Sequence, residues 1–450
     1  MKILPCLQCL SGKISETNLR RLNRIVLGMM CVTGRITQLS ISRWIHLGGA
    51  YRTVQRFFHS KIDWQTLYLT VFMTHHFDPN AYYILAGDET VVSKSGKTTH
   101  GLGRFYSSIA SRVIKGLSIF TLSIVNTGER YACPLSFEQL VRAKPNKTDV
   151  IESETTEPPK EKKGAGRPIG SKNKVKSEEP LSEELQRIFN QTDKLIKSLK
   201  GRVKLEYFTL DGHFGNHLAS LMVRRLNMHI ISKLQRNSAL CFPQTAEQKR
   251  DHPKRKYGDK VDFGKLPISS RISCTVEKGV REEVYDLICL HEDFADPIRV
   301  AVLIATKIAT GEWANVNLFS TDVNLEGSKI KDYYSLRYQI EFNFRDAKQH
   351  FGLEDFMSVK EASVANSIGI AFFQVSLSRQ LLKPLNEDYP DAGICDLKGR
   401  YRSQRYVEEF MKFIRENPGE ISSESLLARI SGLGRIHPAK EEHERIPIAA

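Results

Sequence analysis

Apolar and polar positions set the first picture. From Ser15 to about His76, apolar residues recur at three- and four-residue spacing (Leu22, Ile25, Val26, Met29, then Trp64, Leu67, Val71), which predicts helices with one buried stripe. Inside this stretch Leu39–Leu47 and Tyr51–Phe58 flank Gly48 and Gly49, the outline of two short helices around a glycine turn. At Ala81 the pattern becomes strand-like and runs through Gly87 straight into Asp88. Leu117–Val125 and Tyr131–Leu140 follow, parted by the turn signal Asn126-Thr-Gly128, and suggest an antiparallel meander.

Residues 144–180 are rich in Lys, Glu, Pro and Ser and poor in aromatics, so they read as a flexible insertion. Beyond it, Ser182–Leu199 predicts an amphipathic helix, Lys204–Leu210 a strand ending at Asp211, His217–Leu226 a helix and Met228–Leu234 a strand. From Cys241 to about Val323 strand-type runs dominate: Ser270–Val276, Val284–Leu290 and Arg299–Ala305. Ser328–His350 predicts one long helix stopped near Gly352, and Ala362–Leu382 another, ended by Pro384. The last sixty or so residues are polar, with a few helical turns.

This order predicts an α/β chain with a ribonuclease-H-like catalytic core, an N-terminal helical domain and a β-rich insertion. The expected boundaries are 1–78 for the helical domain, 79–236 with 326–387 for the core (flexible basic insertion 143–181), 237–325 for the β-rich insertion and 388–450 for a C-terminal tail, a candidate for dimerisation or DNA contacts.

Composition adds a class and a partner. With 450 residues, 41% hydrophobic and 26% charged, the chain exceeds one ordinary core and reads as globular. No run approaches the roughly 18 apolar residues that span a bilayer, and Met1–Leu10 is shorter and less basic than a signal peptide. The expectation is a protein of the prokaryotic cytoplasm, associated with the nucleoid and not with a membrane. The net charge of +15 points to a polyanion, because lysine and arginine that displace condensed counterions gain binding free energy. The charge is uneven: residues 1–62 hold ten Lys or Arg and one acid, Glu16. In that segment Arg52 and Arg56 are candidates for reading DNA if the two short helices form a helix-turn-helix; a plain helical bundle is the alternative. The lone Cys6-Leu-Gln-Cys9 pair lacks the four ligands of a structural zinc site, and reduced thiols are the simpler account.

Candidate chemistry lies in carboxylates. Asp88 and Asp211 each end a predicted strand, and ends of neighbouring strands are where polar groups converge on a ligand. A third carboxylate from a helix across those ends completes an oxygen-rich pocket suited to Mg²⁺ or Mn²⁺. Glu341 is that candidate. On a continuous helix at about 100° per residue, with Tyr334 at zero, Arg337 falls near about −60°, Glu341 about −20° and Lys348 about −40°. The four share one face, beside an apolar stripe of Leu336, Ile340, Phe344 and Ala347. A solvated face of ion pairs shows the same pattern.

Tyr334-x2-Arg337-x3-Glu341-x6-Lys348 resembles the signature of a large group of bacterial DDE transposases, the insertion-sequence family numbered four and its relatives. The surrounding Ile340-to-Leu353 text and the Gly87-Asp-Glu-Thr90 block are also similar to that family. The resemblance implies that Asp88, Asp211 and Glu341 hold two metal ions. It implies that Tyr334, Arg337 and Lys348 grip phosphates at the transposon end, with Arg345 a further DNA contact on the same helix. The reaction implied is hydrolytic strand cleavage followed by transesterification into target DNA. The partners implied are double-stranded DNA, as inverted-repeat ends and target, and a second copy of the chain in a synaptic homodimer. Some relatives use a tryptophan of the inserted domain to stack on a flipped base. Trp313 is placed for that role or for a buried core.

Several decoys surround these residues. Glu89 adjoins Asp88 and is the alternative ligand. Ser95-Gly-Lys97-Thr98 imitates the end of a P-loop, but Val91 stands where its first glycine belongs, so Lys94 and Lys97 are read as DNA contacts. Arg167, in Gly166-Arg-Pro168, resembles the minor-groove arginine of an AT-hook, although Ala165 replaces the usual preceding arginine and a solvated basic linker is the rival account. The competing functional readings are a transposase-derived DNA-binding protein without turnover and a ribonuclease-H-like nuclease that cuts but does not join.

Overall fold

The computed structural model describes residues 3–45, 51–107, 110–142, 179–419 and 422–437. Arg167, the Gly48-Gly49 turn and most of the predicted insertion fall outside those residues. In chain order the helices are α1 (Ile3–Leu7), α2 (Glu16–Cys31), α3 (Gln38–Trp44), α4 (Tyr51–Phe58) and α5 (Trp64–His75). Strands β1 (Tyr83–Ser93), β2 (Gly103–Ser107), β3 (Arg112–Asn126) and β4 (Tyr131–Leu140) follow, then α6 (Glu183–Leu199) and β5 (Leu205–Thr209). Next come α7 (His217–Arg225), β6 (His229–Lys233), β7 (Leu240–Cys241), α8 (Ala246–Asp251), β8 (Arg271–Glu277), β9 (Val280–His291), β10 (Ile298–Lys307) and β11 (Trp313–Ser320). The chain closes with α9 (Gly327–Leu336), α10 (Gln339–His350), α11 (Glu361–Asp388), α12 (Ile394–Glu416) and α13 (Ser423–Ser431).

The chain divides into two compact units. The first comprises residues up to Gln139, Lys194–Thr209 and those from Tyr333 onward; the second comprises Leu140–Asp193 and Leu210–Asp332. The architecture is mixed α/β. In the first unit the strand order is β2-β3-β1-β5, with β4 also on β3. β1 runs antiparallel to β3 and parallel to β5, so this sheet is mixed. Gly116 of β3 lies against β1 so closely that a Cβ would meet the Val92 carbonyl oxygen at 2.3 Å, a contact that only glycine tolerates. In the second unit the order is β6-β11-β10-β9-β7, and β8 pairs with β9.

Two elements differ from their sequence patterns in ways that matter. β1 does not end before Asp88. Its ladder to β3 continues from Asp88↔Thr121 to Ser93↔Gly116, whereas its ladder to β5 stops at Ala86↔Thr209. Asp88 therefore sits inside a strand yet just past the last rung shared with its parallel neighbour. The predicted helix over residues 328–350 is two helices, α9 and α10, with a turn at Arg337 and Tyr338. Arg337 N–H bonds to the Tyr334 carbonyl (3.1 Å), Tyr338 to Ser335 (3.2 Å), Ile340 to Arg337 (3.0 Å) and Glu341 to Tyr338 (3.0 Å). Bonds to the third residue back wind the chain more tightly than an α-helix, so a wheel with a constant angle does not carry from Tyr334 to Glu341.

α11 carries the core of the first unit. Val364, Ile368, Ala371, Phe373 and Leu377 are fully buried on its several sides, which marks a helix packed all round. It runs past Pro384 to Asp388 instead of stopping before the proline. Asn366 is its polar anchor: Trp64 Nε1–H donates to Asn366 Oδ1 at 2.8 Å, and Asn366 Nδ2 donates to the Phe58 and Ser60 carbonyls at 2.9 and 2.8 Å. At Gly369 a Cβ would fall 2.4 Å from the same Trp64 ring, so helix and tryptophan meet at van der Waals distance only because the side chain is absent. The segment read as a polar tail contains the 23-residue α12, whose Leu397 and Tyr401 are buried and whose Tyr406 ring lies 6.0 Å from that of Trp44. Its inward stripe is too sparse to stand out from the charged positions around it. No described helix is long and apolar enough to cross a membrane.

His76 ends α5 inside the first unit. Its Nε2–H donates to the Ser376 carbonyl at 3.1 Å, and burial, followed by the charges of Lys383 and Arg379, pushes its pKa down to about 3.

Asn366→Leu leaves one indole N–H and two carbonyls unsatisfied, and is expected to cost about 3 kcal/mol of stability, read as a lower urea midpoint at unchanged slope. For His76, the unfolded chain takes up the proton near its ordinary value while the folded chain resists until about pH 3, so stability falls as pH is lowered through that window. The slope is about 1.4 kcal/mol per pH unit below roughly pH 6. Denaturation series at several pH values should show this slope in the wild type and a shallower one in His76→Gln; equal slopes contradict the assignment.

Candidate active site

The first unit brings together three residues from distant parts of the chain. β1 carries Asp88, the turn between α9 and α10 carries Arg337, and the first turn of α10 carries Glu341. The Arg337 guanidinium donates through Nη1 to Asp88 Oδ2 and through Nη2 to Glu341 Oε1, the latter at 3.3 Å. Arg337 is only 8% exposed in its side chain, and Glu341 49%. One guanidinium thus holds two carboxylates, one in the protein and one at its surface. Their proximity without a cation between them would be repulsive.

The backbone explains why Asp88 is available. Past the last rung with β5, its remaining ladder partner is Thr121 on β3. Thr121 Oγ1–H bonds to the Asp88 carbonyl at 3.4 Å, and Asp88 Oδ1 accepts the Glu89 N–H at 2.8 Å. Glu89 points elsewhere: its Oε1 accepts the Ser118 hydroxyl at 2.6 Å. Between the two adjacent acids, the geometry therefore favours Asp88. Thr121 supports Asp88 from β3, and Ser118 engages the neighbouring Glu89 instead. A single sequence carries no signal for them, because hydroxyls at buried strand positions are recognisable only once register is known.

Lys348 is turned inward. Its side chain is 13% exposed, its ammonium donates to the Val91 carbonyl at 3.1 Å and lies 3.8 Å from Glu354, and burial pushes its pKa below the usual lysine range. It ties α10 to the strand that carries Asp88. Lys94, one residue past β1, does the same for the loop after α10. It donates to the Glu354 and Phe356 carbonyls at 2.9 and 3.0 Å and sits 3.5 Å above the Phe356 ring, and burial pushes its pKa down to about 8. It is a brace in this structure, where the sequence had suggested a DNA contact.

The other candidates are dispersed. Tyr334 and Tyr338 flank Arg337, their ring centres 5.8 and 4.9 Å from its guanidinium carbon. Arg345 lies over Phe342 at 4.9 Å and pairs with Asp346 at 2.9 Å. Arg52 and Arg56 are exposed one turn apart on α4. Trp313 opens β11 and is 44% exposed, which removes the buried-core reading. Asp211 belongs to the second unit, where Oδ1 accepts the His213 N–H at 3.1 Å and its carbonyl accepts the Ser232 hydroxyl at 2.6 Å. Among the described residues, no group of three or more His, Cys, Asp or Glu side chains is gathered as a metal centre.

The model of the DDE superfamily endonuclease family matches residues 6–283, more than half of the chain. The matched stretch includes Asp88 and Asp211 and ends before the helix that carries Glu341. No curated protein matches the sequence. A family match of this extent, over a mixed α/β chain with carboxylates brought together on β1 and α10, gives the conclusion that the chain belongs to the DDE superfamily endonucleases.

Proposed function

We propose that this endonuclease is a DNA transposase of the Tyr-Arg-Glu-Lys group, with a ribonuclease-H-like core. It would cut at the inverted-repeat ends of a transposon and join those ends to target DNA. The observation that carries the reading is the single guanidinium of Arg337 held between Asp88 and Glu341. It supports a carboxylate pair assembled by the fold, in the signature spacing of Tyr334, Arg337, Glu341 and Lys348.

The donor set fits a hard divalent cation. Asp88 and Glu341 offer only oxygens, and the pair already shares one positive group. Asp211, which follows β5, is the third ligand in this reading, as the resemblance implies. In this proposal Asp88, Asp211 and Glu341 hold Mg²⁺ or Mn²⁺, two ions in the full site. When bound, the metal supplies Lewis-acid activation of water or a DNA 3′-hydroxyl and stabilisation of the leaving oxygen.

The chain's own residues supply the frame. Arg337 orients Asp88 and Glu341 and offsets their repulsion. Lys348 fixes the distance between α10 and β1 through the Val91 carbonyl. Phosphates of the transposon end are assigned to Tyr334 and Arg345, with Arg337 and Lys348 completing the positive wall behind the carboxylates. Arg52 and Arg56 supply an exposed basic pair for duplex DNA, and Trp313 an exposed ring for stacking on a base.

With Mg²⁺ and DNA carrying the element's ends, the purified chain is expected to form both cut and joined products. Glu341→Gln should bind the ends with unchanged affinity and yield neither product, and undiminished cutting by that variant overturns the metal-ligand assignment. Cut products alone, without joining, would favour the simple nuclease. Arg337→Ala strands a part-buried carboxylate and is expected to lower stability by about 3 kcal/mol in chemical denaturation. A loss within about 0.5 kcal/mol, the range of an ordinary surface change, refutes the bridging role.

A further inference from the structure

α10 gives a second face to a cavity. Gln339, Phe342, Asn343, Asp346 and Gln349 recur along it at helical spacing and line a space of about 530 Å³ within the first unit. Further walls come from the end of α5, from β4, from α11 and from the start of α12. Neither Asp88 nor Glu341 lines it, so it is separate from the candidate active site. Tyr131, Cys133, Val375 and Ser376 are buried in its wall, and Arg379 stands exposed at its rim.

Polar groups of this lining have hydrogen-bonding capacity to spare. His76 is 6% exposed. Its Nε2–H donates to the Ser376 carbonyl, so the neutral ring offers Nδ1 as an acceptor, and Nδ1 has no partner among the described residues. Asn343 is also 6% exposed, and the donors of its Nδ2 have no partner there either. Arg379 lies 3.5 Å from the centre of the Tyr131 ring, and its acidic neighbour Glu129 is 3.8 Å away, beyond hydrogen-bond distance. The lining carboxylate, Asp346, is already paired with Arg345 at 2.9 Å. A buried donor or acceptor without a partner costs free energy that a group from outside can recover. Two of them in one cavity, with a cation at the rim, form the usual pattern of a small-molecule site.

These groups specify the ligand's chemistry. Arg379 calls for an oxyanion, Asn343 for an acceptor and His76 Nδ1 for a donor. A simple aliphatic carboxylate would leave the buried donor and acceptor unpaired, and a bare phosphate is far too small to fill the space. A phosphate monoester joined to a heterocycle supplies all three functions, with Ala132, Val375 and Leu382 as apolar wall for the ring.

We propose that this cavity binds a mononucleotide, its phosphate on Arg379 at the rim and its base against Asn343 and His76 inside. The same chemistry is carried by a nucleotide free in solution and by the phosphorylated terminal nucleotide of a DNA strand. The inference is independent of the transposase reading, since neither strand cleavage nor metal enters it.

The probes are dAMP, dTMP, thymidine, inorganic phosphate and a 5′-phosphorylated trinucleotide, titrated calorimetrically into the full chain and followed in parallel by thermal shift. A mononucleotide should bind and raise the transition temperature. Asn343→Leu removes a donor that has no internal partner, so its transition should not fall while its affinity for the nucleotide drops at least about tenfold. Arg379→Met should weaken dTMP to the same degree and leave thymidine, which lacks the phosphate, unchanged; a merely structural arginine would not separate the two. Trinucleotide binding that both variants lose, with no binding of free nucleotides, supports the site and makes a strand end its source. A wild-type chain that binds none of the nucleotide probes overturns the proposal. So does phosphate that binds as tightly as dAMP, or nucleotide binding that both variants retain.

Discussion

The candidate site depends on one buried cation. Asp88 and Glu341 are separated by most of the chain, and without Arg337 their convergence would place two negative charges near each other at the edge of a core. The guanidinium is suited to this because it remains charged when buried and offers N–H donors in a planar fork. Its position requires the backbone to leave α-helical geometry between α9 and α10. The shortened hydrogen bonds at Arg337 and Tyr338 turn the side chain toward β1, where a straight helix would carry it elsewhere on its surface. Two charge-assisted hydrogen bonds hold the side chain in that direction.

The rest of the first unit keeps that geometry in place. Lys348 and Lys94 are part-buried ammonium groups that donate to main-chain carbonyls, one from α10 to β1 and the other from just past β1 to the loop after α10. Burial costs each of them basicity, as their lowered pKa values show, and both remain hydrogen-bonded. Behind them α11 joins the N-terminal helices through Asn366, Gly369 and Trp64, so the helical segment and the candidate carboxylates belong to the same unit. A lysine used as a brace cannot freely follow a phosphate. This distinguishes the inward Lys348 from the exposed Arg345 and Arg52.

The same physical rule, that unpaired polar edges and unpaired charges are costly, organises the second unit differently. There β6, β11, β10 and β9 bury their central rungs, while the outer strand β8 leaves both faces and one edge open. The structure thereby separates a charged site built by long-range packing from an exposed strand of consecutive residues.

What the sequence determined by itself was mostly local. Periodicity located the main helices and most of the strands, because side-chain repeats of 3.6 and 2 follow directly from which face is buried. It also named Asp88 and Glu341 through residue type and spacing. The short β2, with a single repeat of alternation between Phe105 and Ser107, was too brief to register, and α12 was hidden by its many charges. Only tertiary structure decided that β1 continues beyond Asp88, since that depends on where β5 stops pairing. It alone decided the break before Glu341 and the inward turn of Lys348 and Lys94. Each of these is settled by a partner hundreds or tens of residues away, and no local pattern of a single chain encodes which distant charge a side chain will meet.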